Sequence, residues 1–327
     1  MKHIELVDYL RGYSIFTIAL MHLCQGYISG ALSKAFAFGG AGVHVFILCS
    51  GLGLYLSYLR KPLEYKDFLR KRFTKVYVPY VIVVALWGTW LMISKGAFPT
   101  KEVMSHILLY KMFSVELDTS LCYPYWFLST IIQFYLAWPL IVRLVCGWGG
   151  GRFLPFIISI AWSTLVGVLG YEEARPWGSF FLQYLWEFCL GMWIAERTFK
   201  GRLNLVDIKE IKWWWLLVGA IGGMGLSALM AWNGGWLKLY NDIPSLIGYL
   251  SLALLVYKIG NKIVNRFFKW ANSFSYELYL VHSLVFTIVA YIVPERMPSL
   301  FLFTVSIFAA YLFAYIYRKF TKKISLI

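Results

Sequence analysis

The sequence predicts an all-α membrane protein, a polytopic bundle of about ten transmembrane helices with both termini in the cytoplasm. Its 327 residues are 60% hydrophobic, 19% aromatic and only 14% charged, which is less charge than a soluble chain of this length needs to cover its surface. Several apolar runs reach about 18 residues, the length at which a helix crosses roughly 30 Å of hydrocarbon. These two observations establish the fold class, and the basic residues then indicate the orientation.

Ten apolar runs are predicted to span the bilayer, and the eighth of them is the shortest. They lie at 6–29, 38–59, 74–94, 125–145, 153–171, 179–195, 213–232, 242–257, 273–293 and 297–317. The chain is expected to form a single domain, 1–327, with no appended soluble domain. The first run should remain as an uncleaved span, because Arg11 and His22 interrupt it and no small-residue cleavage site stands out.

The basic residues concentrate on one side of the predicted bundle. If the N-terminus is cytoplasmic, most of the 31 Lys and Arg residues fall in cytoplasmic segments, with clusters at 60–75, 197–212, 258–269 and 318–323. This bias supports the even number of spans, with both ends inside. It also assigns most of the net charge of +15 to topology and to attraction for anionic lipids, so that a nucleic-acid partner is not expected.

The longest connection on the opposite side, 95–124, contains the stretch "KEVMSHILLYKMF". Its apolar residues recur at helical spacing, as they would in an interfacial helix lying on the outer leaflet. A plain loop explains the same residues equally well, and the sequence does not choose between them.

The first span, "DYLRGYSIFTIALMHLC", holds an unusual pair of polar residues. Arg11 and His22 are eleven residues apart, which at about 100° per residue places both on one helix face, roughly 16–17 Å apart along the axis. Asp8 lies three residues before Arg11, close enough to pair with it. Ionisable groups at membrane depth usually face a cavity or a partner, although a lone His in a span is as often a helix-packing residue.

A cation at the inner surface, aligned with an imidazole near mid-membrane, suits a long anionic ligand. Its phosphates would lie at Arg11 and its reactive end at His22, and coenzyme A esters have this shape. A neutral imidazole is also the natural general base for a hydroxyl nucleophile.

Arg70 and Arg72 belong to a second basic cluster, "FLRKRFTK", ahead of the third span. They are able to grip phosphates through charge-assisted hydrogen bonds, but a patch that only orients the chain is favoured when the cluster is taken alone.

Further polar and small residues occur inside the predicted spans. The glycines of "GAGVHVFILCSGLGL" indicate close helix packing, and Ser50 in the same stretch is a candidate cavity-lining hydroxyl. Trp126 fits an aromatic belt, while Gln133 is able to bond to another helix. Glu187 and His282 are either structural hydrogen-bonding partners or walls of the same polar cavity.

Several motifs are missing from the sequence. It has no Walker A loop, no GxGxxG, no HExxH and no paired acidic metal motif, so ATP-driven transport and metal-dependent glycosyl transfer lose support and no metal is expected.

Five segments in order resemble those of a known family. "VDYLRGYSIFTIALMH" resembles its opening signature, "GVHVFILCSGLGLYL" its second span and "FLRKRFTKVYVPY" its Arg-x-Arg stretch before the third span. "YWFLSTIIQFYLAWPL" is similar to its fourth span and "SYELYLVHSLV" to its Tyr-Leu-x-His span near the end. The family is membrane-bound acyltransferase family 3, the bacterial integral-membrane O-acyltransferases, and the resemblance runs over nearly the whole chain.

The resemblance implies ten spans in the bacterial inner (cytoplasmic) membrane and transfer of an acyl group, commonly acetyl, from cytoplasmic acyl-CoA to a hydroxyl of a cell-envelope glycan or glycolipid. It implies that His22 is the catalytic base, with Asp8 in the same signature, and that Arg11, Arg70 and Arg72 contact the donor. The chain departs from the family at His44, where an acid is common, so no role for an acid carries over there. Some members of the family have an appended extracytoplasmic esterase-like domain. Because no such domain is expected here, this chain is expected to act alone or with a separate extracytoplasmic partner protein.

The functional hypothesis is therefore a transmembrane O-acyltransferase that uses acetyl-CoA as the donor. Direct transfer is the simpler scheme, and an acyl-enzyme on Ser50 is the other. The rival hypothesis is a transporter, flippase or export component for a lipid-linked polysaccharide. Such a protein has no need of a mid-membrane His aligned with an inner-surface Arg.

Overall fold

A computed structural model describes residues 4–28, 30–146, 153–204, 210–293 and 299–324, and within those ranges the chain is helical and forms no strand. The α-helices are α1 Glu5–Tyr27, α2 Gly30–Ala37, α3 Gly42–Arg60, α4 Tyr65–Arg72, α5 Val78–Lys95, α6 Thr100–Ile107, α7 Trp126–Leu136, α8 Trp138–Cys146, α9 Leu154–Val168, α10 Arg175–Gly178, α11 Leu185–Phe199, α12 Trp213–Asn233, α13 Gly235–Leu239, α14 Asp242–Ile259, α15 Lys262–Asn272, α16 Ser275–Ile292 and α17 Ser299–Ile324. A π-helical turn, Phe73–Tyr77, joins α4 to α5, and 3₁₀ turns occur at Phe38–Ala41, Tyr110–Phe113 and Tyr123–Tyr125.

Each of the ten predicted spans overlaps a helix or a pair of consecutive helices. In the part of the chain that the structure describes, six helices are long and apolar enough to cross a membrane, namely Ala35–Arg60, Tyr65–Lys95, Trp213–Asn233, Asp242–Ile259, Ser275–Ile292 and Leu300–Lys323. The first helix, α1, is 23 residues long but is not among them, because Arg11, His22 and Gln25 lower its mean hydropathy. The chain is thus a helical membrane protein, while the count of ten and the cytoplasmic placement of the termini stay predictions.

The fourth predicted span, 125–145, is broken rather than continuous. Its two halves, Tyr123–Leu136 and Trp138–Val145, meet at 66°, so that the pair forms either one bent span or a re-entrant loop. Pro139 explains the break, because its ring removes a backbone N–H and disfavours the helical conformation of the residue before it.

Backbone contact between α3 and α11 depends on glycine. A Cβ atom on Gly51 would lie 2.0 Å from the carbonyl oxygen of Phe188, so no larger residue fits at this crossing. The prediction that the glycines of this stretch serve packing is confirmed at Gly51, whereas Gly53 lines the cavity described below.

Gly12 has the same importance where α1 meets α15. A Cβ atom there would lie 1.7 Å from the carbonyl oxygen of Phe268, so the two helices touch through their backbones. This contact brings the end of α15, with Lys269 and Asn272, next to Asp8 and Arg11 of α1.

The connection at 96–122 includes the short helix α6 and folds into the protein. His106 is fully buried, with its Nε2 2.9 Å from the carbonyl oxygen of Ser120 and its Nδ1 2.6 Å from the hydroxyl of Tyr80. Because a carbonyl only accepts, Nε2 donates to Ser120 and Nδ1 accepts from Tyr80. The segment therefore contains a helix, in agreement with one of the two interpretations. The side of α6 that carries His106 packs on the protein.

Burial changes the acidity of two side chains in this segment. It lowers the pKa of His106 to about 3, with the positive charge of Lys111 adding to the effect. Burial also lowers the pKa of Lys111 to about 8, although its Nζ donates to the carbonyl oxygen of Asp118 at 2.8 Å.

Candidate active site

A cavity of about 780 Å³ lies among α1, α3, α7, α15, α16 and α17, and residues of α4, of the turn Phe73–Tyr77 and of α5 also line it. Six of the predicted site residues line it: Asp8, Arg11, His22, Ser50, Arg72 and Trp126. The other four, Arg70, Gln133, Glu187 and His282, are not among its lining residues. The cavity therefore brings together most of the predicted site residues, which lie on four separate segments of the sequence.

Arg11 and His22 both face this cavity from α1, as the eleven-residue spacing predicts. The guanidinium carbon of Arg11 lies 5.9 Å from the ring centre of Phe46 on α3. Asp8 accepts a hydrogen bond from Nδ2 of Asn272 at 2.8 Å, so α15 is tied to the same stretch of α1. The arrangement joins a cation near one end of α1 to an imidazole three turns along the same helix.

One part of the cavity wall is strongly basic. Six cationic side chains line it, namely Arg11, Arg72, Lys75, Lys269, Arg318 and Lys322. Asp8 and Glu277 are the acidic lining residues, so the lining itself has an excess of four positive charges, and Lys269 is also paired with Glu5 outside the lining. This excess of positive charge is suited to an anion of several charges, such as a ligand with more than one phosphate group.

For four of these cations, the sequence alone indicates only a contribution to the orientation of the chain in the membrane. Lys75 reaches the cavity because the π-helical turn Phe73–Tyr77 changes the direction of the side chains between α4 and α5. Arg318 and Lys322 are four residues apart and so share one face of α17. The i,i+4 spacing was visible in the sequence, whereas the cavity that it faces was not.

Arg70 is not among the lining residues of the cavity, and its contact with the donor stays a prediction. It lies two residues before Arg72 on α4, and two residues on a helix differ in direction by about 200°. Arg72 turns inward, with its guanidinium carbon 5.5 Å from the ring centre of the buried Phe68, and Arg70 is exposed. Only one member of the Arg-x-Arg pair is therefore available to a ligand in the cavity.

His22 lies beside a second histidine. The ring centres of His22 and His282 are 5.3 Å apart, and the planes are tilted by 30°. Nδ1 of His282 donates towards the carbonyl oxygens of Leu278 and Tyr279 at 3.0 and 2.9 Å, which fixes the orientation of its ring. His282 is fully buried, so it packs behind His22 instead of forming the cavity wall.

Ser50 lines the cavity from α3. Its Oγ donates to the carbonyl oxygen of Phe46 at 2.7 Å, which is the usual bond of a serine to the preceding turn of its own helix. The hydroxyl proton is thus committed to the backbone in this structure.

Trp126 lines the cavity and borders a second group of aromatic and charged residues. Its ring stacks on Tyr184 with centres 5.8 Å apart. The guanidinium carbon of Arg175 lies 3.9 Å from the ring centre of Trp126 and 5.4 Å from that of Tyr123. An aromatic surface with a cation against it therefore lies between the cavity and the neighbouring cluster of polar residues.

The neighbouring cluster of polar residues contains Glu187. Nδ1 of His44 lies 2.7 Å from Oε1 of Glu187, and Nε2 of His44 lies 3.9 Å from Oδ1 of Asp242. The other Asp242 oxygen accepts from Nε2 of Gln183 at 2.6 Å. Of the two interpretations of Glu187, the structure favours a hydrogen-bonding partner, and the residue that it holds is the one at which the sequence departs from the family pattern.

Gln133 is also a structural hydrogen-bonding residue. Its Oε1 accepts from the backbone N–H of Phe181 at 3.0 Å, which ties α7 to the segment before α11. Among the residues that the structure describes, no group of three or more His, Cys, Asp or Glu is placed to hold a metal ion.

A family model described as an acyltransferase domain, that of acyltransferase family 3, matches residues 4–319. The chain belongs to acyltransferase family 3. It is accordingly a membrane acyltransferase, in agreement with the resemblance carried by the five sequence segments and with its apolar helices. No curated protein and no solved structure matches the chain.

Proposed function

We propose that this family 3 acyltransferase moves an acyl group from cytoplasmic acyl-CoA to a hydroxyl of an envelope glycan or glycolipid. The acyl group that we propose is acetyl. The observation that carries the proposal is the single cavity that joins a basic wall to His22. A transporter for a lipid-linked polysaccharide requires a path for its cargo, but it does not require an imidazole aligned with a cluster of phosphate-binding cations.

The charge of the cavity supports a coenzyme A thioester as the donor. Its diphosphate and 3′-phosphate together carry about four negative charges near neutral pH, which matches the excess of positive charge on the cavity wall. The roughly 16–17 Å between Arg11 and His22 along α1 leaves room for an extended pantetheine arm. Arg11 and Arg72 then hold the diphosphate, and the thioester lies at His22.

Direct transfer needs one base. His22 takes the proton of the acceptor hydroxyl, and the oxygen attacks the thioester carbonyl carbon to give a tetrahedral intermediate. When the intermediate collapses, the C–S bond breaks, the new ester C–O bond remains, and the imidazolium returns its proton to the leaving thiolate. We propose this route rather than an acyl-enzyme on Ser50, because the Ser50 hydroxyl is bonded to the carbonyl oxygen of Phe46.

The acceptor approaches from the opposite side of the membrane in this proposal. Trp126 supplies an aromatic face at the cavity wall, the kind of surface on which a sugar ring stacks. The bacterial cytoplasmic membrane, an envelope-carbohydrate acceptor and a separate extracytoplasmic partner protein come from the family resemblance and belong to the same proposal.

Purified protein in proteoliposomes tests the reaction. Wild-type protein should form an acetyl ester on an added glycan acceptor from acetyl-CoA, and His22→Ala should lower the rate by at least about a hundredfold. Mass spectrometry of envelope glycans from cells with and without the protein identifies the acceptor through the loss of the acetyl mass increment.

A binding measurement separates the enzyme from its rival. A non-hydrolysable acetyl-CoA analogue should raise the thermal stability of both wild-type and His22→Ala protein, since the cationic wall is unchanged in the variant. A transporter would show no such shift. Wild-type transfer rates in the His22→Ala protein would refute the catalytic assignment.

A further inference from the structure

Two cations of the cavity wall come from the last helix of the chain, far from the signatures that carry the family resemblance. Arg318 and Lys322 lie one turn apart on α17 and both line the cavity. Arg318 is half-buried and Lys322 is exposed, so the pair runs from the wall towards solvent. A ligand group that remains near the surface while the rest of the ligand is buried would meet these two residues.

Two buried side chains fix the rotation of α17 at this position. The hydroxyl of Tyr317 donates to the carbonyl oxygen of Pro79 at 2.7 Å, and Oγ1 of Thr321 donates to Oε1 of Glu277 at 3.0 Å. Both side chains are buried, and they are one turn apart on the helix. The residues that follow each of them, Arg318 and Lys322, therefore keep their place beside the cavity.

The next residues along, Lys319 and Lys323, have the same charge but a different direction. Both are exposed, and neither is among the lining residues of the cavity. Nζ of Lys319 lies 4.8 Å from the ring centre of Tyr315, on the outer surface of α17. The helix thus presents one pair of cations to the cavity and one pair away from it.

We infer that Arg318 and Lys322 bind the 3′-phosphate of the coenzyme A donor and so make the enzyme select coenzyme A thioesters over thioesters that lack this phosphate. The inference rests on the proposed function. With the thioester at His22 and the diphosphate at Arg11 and Arg72, the ribose phosphate is the anionic group farthest from the reaction. It is a dianion at neutral pH, and a guanidinium together with an ammonium is a suitable pair for it.

Anionic lipid headgroups have the same phosphate chemistry, and basic residues near a membrane surface attract them. The two sources differ in one measurable respect. A lipid-binding role of Arg318 and Lys322 affects the enzyme equally with every donor, whereas a 3′-phosphate site affects only donors that carry the 3′-phosphate.

The test compares two donors and two matched double variants in proteoliposomes. Acetyl-CoA and acetyl-3′-dephospho-CoA are assayed with wild type, with Arg318→Gln/Lys322→Gln and with the control Lys319→Gln/Lys323→Gln, which loses the same charge from the same helix. Wild type and the control should prefer acetyl-CoA by at least about tenfold in kcat/KM. Arg318→Gln/Lys322→Gln should lose this preference, through a rise in KM for acetyl-CoA that is much larger than the rise in KM for the dephospho donor. Arg318→Lys, which keeps the charge, should retain part of the preference.

Three results would overturn the inference: no preference in wild type, a preference that survives in Arg318→Gln/Lys322→Gln, or an equal loss with both donors that anionic lipid restores. Failure of the proposed function looks different, because wild type would then transfer acetyl from neither donor. Thermal unfolding of the two double variants checks that both remain folded.

Discussion

The His44–Glu187 pair shows how a carboxyl group is accommodated inside the bundle. Glu187 has no exposed surface, and the carboxyl group lies 2.7 Å from Nδ1 of His44. A buried pair of this kind gains little over apolar packing, but removing one partner leaves an uncompensated polar group in a medium of low dielectric constant. We therefore predict that the pair stabilises the fold and takes no part in the reaction.

Glu187→Ala should destabilise the protein by about 3–5 kcal/mol, because it leaves the half-buried His44 without its main partner. Thermal unfolding in detergent measures the effect, and Glu187→Gln, which still offers an oxygen to His44, should cost clearly less. Since Glu187 does not line the cavity, the specific activity of the folded fraction should stay within about twofold of wild type for both variants. A large fall in activity with unchanged stability would instead make Glu187 part of the reaction site.

Single positions differ in how far the sequence predicts them. The shared face of Arg11 and His22 follows from helical geometry alone, because both residues belong to one uninterrupted helix. The partnership of His44 with Glu187 joins residues 143 apart in the chain, and no local pattern encodes it. Arg72 and Arg70 are chemically equal in the sequence, and only the docking of α4 determines which one faces inward.

At the scale of helices, the contact of α1 with α15 depends on one missing side chain. In Gly12→Ala, the added Cβ atom would lie 1.7 Å from the carbonyl oxygen of Phe268, so the two helices must move apart. The variant should be less stable by about 1–3 kcal/mol and should bind acetyl-CoA more weakly, since α15 carries Lys269 to the cavity. Thermal unfolding and donor titration measure the two effects.

Gly222→Ala is the matched control, because a Cβ at Gly222 of α12 meets nothing within 4 Å. It should leave stability and donor binding unchanged or slightly improved, as expected for Gly to Ala in a helix. Equal behaviour of the two variants would show that α1 and α15 are not held by this contact.

The connection at 96–122 should be sensitive to acid. Burial holds the pKa of His106 at about 3 against an ordinary value of 6.5, so the folded segment keeps the imidazole neutral. The unfolded segment binds the proton more readily, and stability present above about pH 6.5 is lost progressively as the pH falls towards 3. At pH 5 the loss is about 2 kcal/mol by this linkage.

Hydrogen exchange of the backbone amides at 100–122 measures this opening, which should increase from pH 7 to pH 5 after correction for intrinsic exchange. His106→Gln, which does not titrate in this range, should remove the extra opening at pH 5. An equal pH response in wild type and in His106→Gln would assign the effect to another group.

Helices are the part of this fold that an apolar sequence predicts best, because each transmembrane helix must satisfy its own backbone hydrogen bonds. Each of the ten predicted runs accordingly overlaps helical structure in the described residues. The 66° break in the fourth run is visible in the sequence only as Pro139, and proline inside a membrane helix is compatible with either a kink or a break. Packing against neighbouring helices decides between them.

At the scale of the whole molecule, the same basic clusters bear on the predicted orientation and on the cavity. The clusters at 60–75, 258–269 and 318–323 lie on the predicted cytoplasmic side, and each also supplies at least one side chain to the cavity wall. A count of charges predicts the orientation of the bundle, but only the folded arrangement of the helices shows which cations line one cavity. This convergence explains why the sequence alone does not reveal the basic part of the cavity.

The convergence predicts that donor binding depends on salt. A non-hydrolysable acetyl-CoA analogue, at a hundred times the Kd that it has in low salt, should stabilise the folded protein by about 2.7 kcal/mol. At this fixed concentration, the stabilisation should shrink as ionic strength rises, because Kd rises. Between about 0.05 and 0.5 M salt, the screening length falls from about 14 Å to about 4 Å, and Kd should rise at least about tenfold. An acetyl-pantetheine thioether, which has no phosphate, provides the control and should bind weakly with little salt dependence. Equal salt dependence of the two ligands would show that the cationic wall does not act through the donor's phosphates, since only charge on the ligand makes its attraction to six converging cations sensitive to screening.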